Sequence, residues 1–142
     1  MEHIFEQQVF YSDTDAYGVV WHGSYLRWLE MGRVLYCENL GLNLIDLKEM
    51  DIVLPVTNIN VRYKASAKFN THLSIKTKIS KITPLSITFE QTITDYDSDT
   101  LYVQALVDVV AINNSGKLYR KLPAELKQAI ETSIKEGELC NV

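Results

Sequence analysis

The chain has 142 residues, room for one domain with a real core and little for a second. Apolar residues make up 46% and charged residues 23%, an ordinary globular balance that excludes a disordered or fibrous chain and requires no disulfide or structural metal. With 18 acidic residues against 14 basic ones, the net charge is −4, which argues against nucleic-acid binding because phosphates attract clustered Lys and Arg.

The N-terminus, Met1-Glu-His-Ile-Phe-Glu, has no basic stretch followed by an apolar one, so no signal peptide is expected. Residues 4–11 read as a strand that stops at the polar cluster Ser12-Asp13-Thr14-Asp15. From Gly23 to Leu40 the period changes: Tyr25, Trp28, Leu29, Gly32, Tyr36 and Leu40 recur at spacings of three and four, which predicts a long helix. Leu26, Val34 and Cys37 widen its apolar surface, so it should be buried over most of its circumference. Gly41 fits its C-terminal cap, and residues 42–51 read as a short helical or irregular link. Ile52 to Tyr63 (interrupted by Pro55), Leu73 to Ile82, Leu85 to Tyr96 and Leu101 to Ile112 are rich in strand-forming residues. Turn signals separate them at Lys64–Lys68, Thr83-Pro84, Asp95–Asp99 and Asn113–Gly116. The last strand is apolar on both faces and should be central. A closing helix is expected from Pro123 to Ile134. No apolar run reaches membrane-spanning length. Cys37 and Cys140 are far apart in sequence and read as unpaired thiols of a reducing, cytoplasmic setting. The order predicts a single α+β domain over residues 1–142, an antiparallel sheet with the long helix on one face.

Chemistry concentrates between Tyr11 and Glu30. Two carboxylates, Asp13 and Asp15, sit in a turn before a helix, with Gly18 in the turn and His22 at the helix mouth. Unpaired N–H groups at a helix start suit an oxyanion, and a neighbouring carboxylate can serve as base or nucleophile at an acyl carbon. On spacing alone, an Asp-rich loop capping the helix is the favoured account of the same residues.

The stretch Asp13-Thr-Asp15-Ala-Tyr-Gly18-Val-Val-Trp-His22-Gly-Ser-Tyr25-Leu resembles the signature of the 4-hydroxybenzoyl-CoA thioesterase family of hotdog-fold proteins, nearest its Tol–Pal-associated branch. The likeness continues through Glu30-Met-Gly-Arg33, Arg62–Phe69 and Leu122–Leu126, nearly the whole chain. Asn70 and Ser66 depart from the family, which more often has Asp and Pro there. The resemblance implies a curved antiparallel sheet of about five strands wrapped around one long helix, and hydrolysis of acyl-CoA thioesters without a cofactor or metal. It puts the catalytic carboxylate on Asp15 and a supporting role on His22. The backbone N–H groups of His22 and Gly23 would then hold the oxyanion. Tyr25 would line the substrate, and Arg62, Lys64 and Lys68, with Lys81, are candidates for the phosphates of CoA. Glu30 and Arg33, three apart, read as a structural ion pair. The alternatives are an acyl carrier protein thioesterase, with that carrier as partner, and a non-catalytic acyl-CoA-binding protein. A homodimer or dimer of dimers with a composite site is expected, Asp15 of one subunit facing the 62–69 segment of the other; the alternative is a monomer whose sheet edge Lys76 and Lys78 protect. Asp95, Asp97 and Asp99 imitate a calcium loop but lack its later ligands, and read as a hairpin turn.

Overall fold

The computed structural model describes the backbone of residues 1–140 and the side chains of residues 1–134. Strand β1 (Glu2–Gln8) alternates exposed and half-buried residues, and a single 3₁₀ turn, Tyr11–Asp13, takes the chain off the sheet. Helix α1 (His22–Asn39) and the short α2 (Leu44–Glu49) follow. Strands β2 (Val56–Tyr63), β3 (His72–Ile82), β4 (Ser86–Asp95) and β5 (Leu101–Val110) and a closing helix α3 (Ala124–Cys140) complete the order.

One five-stranded antiparallel sheet runs in the order β1-β3-β4-β5-β2. Hairpins join β3 to β4 and β4 to β5, as their turn residues dictate. At the first turn Thr83 Oγ1 accepts from the N–H groups of Leu85 and Ser86. At the second, Asp95 Oδ1 accepts from Asp97 N–H and Oδ2 from the Tyr102 hydroxyl, so this acidic cluster is the hairpin turn its sequence suggested. The middle strand is β4, not β5. β5 is nonetheless interior, between β4 and β2, which accounts for its apolar character on both faces. The sheet edges are β1 and β2. Lys76 and Lys78 lie on β3 between β1 and β4, so they protect no edge; Lys78 faces Glu90 at 3.6 Å.

α1 lies against the inner face of the sheet. Trp28, Leu29 and Tyr36 are at most 1% exposed and meet Leu73, Ile75, Phe89 and Ile93 in one core; each such burial contributes about 2 kcal/mol. The helix ends as Gly41 predicts: Gly41 has φ +81°, its N–H donates to Glu38 O and that of Leu42 to Cys37 O, closing a Schellman cap. The link after it is helical, with Asn43 Oδ1 accepting from Asp46 N–H as an N-cap. β2 starts only after Pro55, which has no N–H to give, and Val53 pairs separately with Ile112. α3 runs six residues beyond the expected Ile134. Cys37 is free and buried; the reading of Cys140 as a thiol lies outside the described residues. No helix among the described residues is long and apolar enough to cross a membrane.

Candidate active site

β1 and the turn after it bring the motif to the end of the sheet where β2 finishes and β3 begins. The chain there folds back on itself. Thr14 pairs with Val20, Asp15 N–H donates to Val19 O at 2.9 Å, and Gly18 N–H donates to Asp15 O at 3.1 Å. Gly18 closes this turn at φ +77°, a conformation costly for a residue with a Cβ. The next residues dock on the segment after β2: Val19 pairs with Lys68, and Val20 N–H donates to Ala67 O at 2.8 Å.

The two aspartates have different tasks. Asp13 is 2% exposed; Arg27 pairs with its Oδ1, and Phe10 N–H donates to its Oδ2 at 2.8 Å. Its backbone carbonyl accepts from Trp21 N–H and from the Ser24 hydroxyl, which fixes the start of α1 beside the turn. Asp15 is half-buried. Tyr17 N–H donates to its Oδ1 at 2.8 Å, and its Oδ2 has no donor among the described residues. One oxygen is thus anchored and the other is open to a substrate or a water.

α1 begins at His22 with no side-chain cap, and Ser24 N–H is the first to turn inward, onto Trp21 O at 2.9 Å. The N–H groups of His22 and Gly23 have no acceptor among the described residues, the state expected of a helix start open to an anion. The Trp21 indole lies across the helix start, so a Cβ at Gly23 would come within 2.2 Å of it and the half-exposed ring would have to shift. The His22 ring is exposed, 5.1 Å from the Trp21 ring, and its carbonyl is reached by the Tyr63 hydroxyl at 3.5 Å.

The other residues singled out in the sequence are not all brought together. Tyr25 is 3% exposed and accepts Ala67 N–H on its hydroxyl at 2.9 Å, holding the 67–68 segment behind the turn. Burial pushes the Tyr25 hydroxyl above its ordinary pKa. Lys64 and Lys68 are exposed at the same end of the sheet, Lys68 beside Val19. Arg62 is on the outer face, across from Gln104, where it borders a depression of about 240 Å³ with Asn60, Glu90 and Leu106. Lys81, near the far end of β3, is at the opposite end of the sheet from the turn. The Glu30–Arg33 ion pair does not form: Arg33 Nη1 donates instead to Gln91 Oε1 at 3.0 Å. Sequence reasoning missed Arg27 as the partner of Asp13 and Gln91 as the partner of Arg33. Gln91 did carry a signal, since it interrupts the inward-facing series Ile87, Phe89, Ile93 with an amide.

Comparison with known proteins identifies the family and the fold. The model of the thioesterase-like superfamily matches residues 9–130. The acyl-CoA thioesterase YbgC of Haemophilus influenzae is 32% identical over 127 residues, 88% of this chain and 91% of that protein. The crystal structure of a DHNA-CoA thioesterase from Staphylococcus aureus covers 99% of this chain and 93% of its own, with TM-score 0.84 and 28% identity. A 4-hydroxybenzoyl-CoA thioesterase from Pseudomonas sp. strain CBS-3 shares the fold at TM-score 0.79 and 24% identity, covering 90% of this chain and 98% of its own. The chain belongs to the thioesterase-like superfamily and has the hotdog fold that its first motif implied.

Proposed function

We propose that this protein hydrolyses acyl-CoA thioesters to the free acid and CoA, with Asp15 as general base or nucleophile. The observation that carries the reading is the pairing of a half-tied carboxylate with an uncapped helix start in one folded-back turn. The developing negative charge on the thioester oxygen would be held by the N–H groups of His22 and Gly23. In the base route Asp15 takes a proton from water as the hydroxide oxygen adds to the carbonyl carbon. The tetrahedral intermediate then expels the CoA thiolate, which takes up that proton. In the nucleophile route Asp15 Oδ2 displaces the thiolate to form an anhydride, which water opens. The thiolate leaves readily, so neither route draws on a metal.

Tyr25 supports the substrate wall indirectly, through the segment it holds. The exposure of Lys64 and Lys68 at the end of the sheet that carries the turn supports their contact with the phosphates of the carrier; Arg62 would meet them only around the edge of β2. The open β2 edge, with Val56, Ile59 and Tyr63 at 44–47% exposure, supports pairing with a second copy into a homodimer or dimer of dimers. A cytoplasmic location and the Tol–Pal-associated branch belong to the same proposal. The test is a hydrolysis screen with short-chain, long-chain and aromatic acyl-CoA thioesters and with acyl carrier protein thioesters. Turnover of CoA thioesters that Asp15→Asn abolishes is the expected result. Binding without turnover of any thioester would make the protein an acyl-CoA-binding module instead.

A further inference from the structure

Arg33 is a charged group that the proposed chemistry leaves unused, and the core is built to hold it. Gly32 lets α1 approach the sheet so closely that a Cβ there would meet Thr77 Oγ1 at 2.6 Å and Gln91 Nε2 at 2.9 Å. The Gln91 side chain, 1% exposed, donates from Nε2 to Leu29 O and Thr77 Oγ1, both at 2.8 Å. Those two bonds fix the amide so that its oxygen faces Arg33. A guanidinium has five N–H donors, and this is the one bond Arg33 makes among the described residues.

Arg33 lines a cavity of about 330 Å³ with Glu30, Val34, Cys37, Leu54 and Phe89. Burial lowers the pKa of Arg33, and burial pushes the Cys37 thiol up to about 11, so the thiol contributes no charge. Glu30 is exposed and makes no bridge to Arg33. Arg33 is half-buried, its hydrogen bond goes to a neutral amide, and the nearby Glu30 carboxylate offsets its burial only through space, without a direct bridge.

The cavity and the proposed reaction centre lie along the same helix. His22, Leu26, Glu30, Arg33 and Cys37 follow one another at spacings of four and three, so they share one flank of α1. That flank faces the inner side of β2, with Tyr63 at His22 and Val56 at the cavity. Leu26 on this flank and Ile59 on β2 are apolar side chains at 39% and 44% exposure. From the first turn of α1 to Arg33 the axial rise is about 15 Å, shortened by the backward lean of a helical side chain.

We propose that the acyl group lies along this flank and that Arg33 selects acyl groups ending in a carboxylate, the ω-carboxyacyl-CoA thioesters. This rests on the acyl-CoA reading above. The terminal carboxylate would accept charge-assisted hydrogen bonds from the free guanidinium N–H groups, while Glu30 stays turned to water. The test compares matched pairs of six, eight and ten carbons: hexanoyl- with adipoyl-CoA, octanoyl- with suberoyl-CoA, decanoyl- with sebacoyl-CoA. The ω-carboxy member should have a kcat/KM higher by about tenfold or more at one chain length, the scale of one charge-assisted bond. Arg33→Met should collapse that ratio, and Arg33→Lys should retain part of it. Equilibrium binding of the same pairs to the Asp15→Asn variant should show the same ratio, independent of turnover. A ratio at or below one at every length, or one that Arg33→Met leaves intact, overturns the proposal. If Arg33→Met does not fold, the wild-type and Arg33→Lys ratios decide. Should no thioester turn over, the hydrolytic reading fails and the binding ratio still decides the role of Arg33.

Discussion

Two aspartates separated by one threonine differ in what their oxygens are free to do. Both Asp13 oxygens are engaged, by Arg27 and by Phe10 N–H, whereas Asp15 keeps one open. Asp15→Asn should therefore lower kcat by about a hundredfold or more with little change in stability, the scale of a positioned acid–base group. Asp13→Asn should do the reverse, costing about 1–3 kcal/mol of stability by weakening a buried charged bond while kcat falls much less. Steady-state hydrolysis and urea unfolding of both variants check this, and a larger kcat loss in Asp13→Asn would reverse the assignment. His22→Ala should reduce activity less than Asp15→Asn, because it removes an exposed ring and leaves the N–H in place, whereas loss of an oxyanion donor costs about 3 kcal/mol. Equal losses in a pH–rate comparison would make the imidazole a partner in proton transfer.

Packing at the level of elements depends on α1 lying close to β3 and β4. Gly32 sets that distance, so Gly32→Ala should destabilise by about 1–3 kcal/mol through overpacking against Thr77 and Gln91. A urea midpoint unchanged from wild type would show that the amide can move aside. The elements themselves were legible because their periods are strong: the three-and-four spacing of Tyr25, Trp28, Leu29, Gly32 and Tyr36 marks the helix, and Leu73, Ile75 and Thr77 mark the inner face of β3. Strand order was not legible. Lys76 and Lys78 looked like edge guards because nothing local says that β1 returns to cover β3. Partners far apart in sequence were hidden for the same reason: Arg33 meets Gln91 only once α1 crosses β4. Arg62 and Tyr63 differ by one step of the pleat, which sends them to opposite faces of the sheet. Asp15, by contrast, belongs to a motif whose parts are all local.

For the molecule as a whole, alkaline pH tests the hairpin at the site end. Burial, helped by the bond to Asp95, pushes the Tyr102 hydroxyl from its ordinary 10.0 up to about 12. Because the folded value is the higher, the stabilisation is complete below pH 10 and is lost as pH rises toward 12. Cys37, raised from 9.0 to about 11 by burial, acts with the same sign lower in the range. Urea unfolding across pH 9 to 12 should show this loss, and Tyr102→Phe should remove its upper part; an unchanged slope would refute the linkage. Assembly is tested by light scattering at low micromolar concentration, where a dimer is expected. The 62–69 segment of each subunit already lies on its own Asp15 turn. Mixing Asp15→Asn with a variant inactivated in that segment then separates two arrangements: regained activity requires the segment to act across the interface, and none places the whole site within one subunit.

The bare start of α1 has a further consequence. Trp21 occupies the position where Ser, Thr, Asp or Asn would satisfy the first N–H groups. The fold therefore forgoes a routine gain in stability at a place where, on the proposed mechanism, filling the vacancy would compete with a bound oxyanion. Selection for heat resistance alone would be drawn to that position, and the hardier descendants would be the slower catalysts.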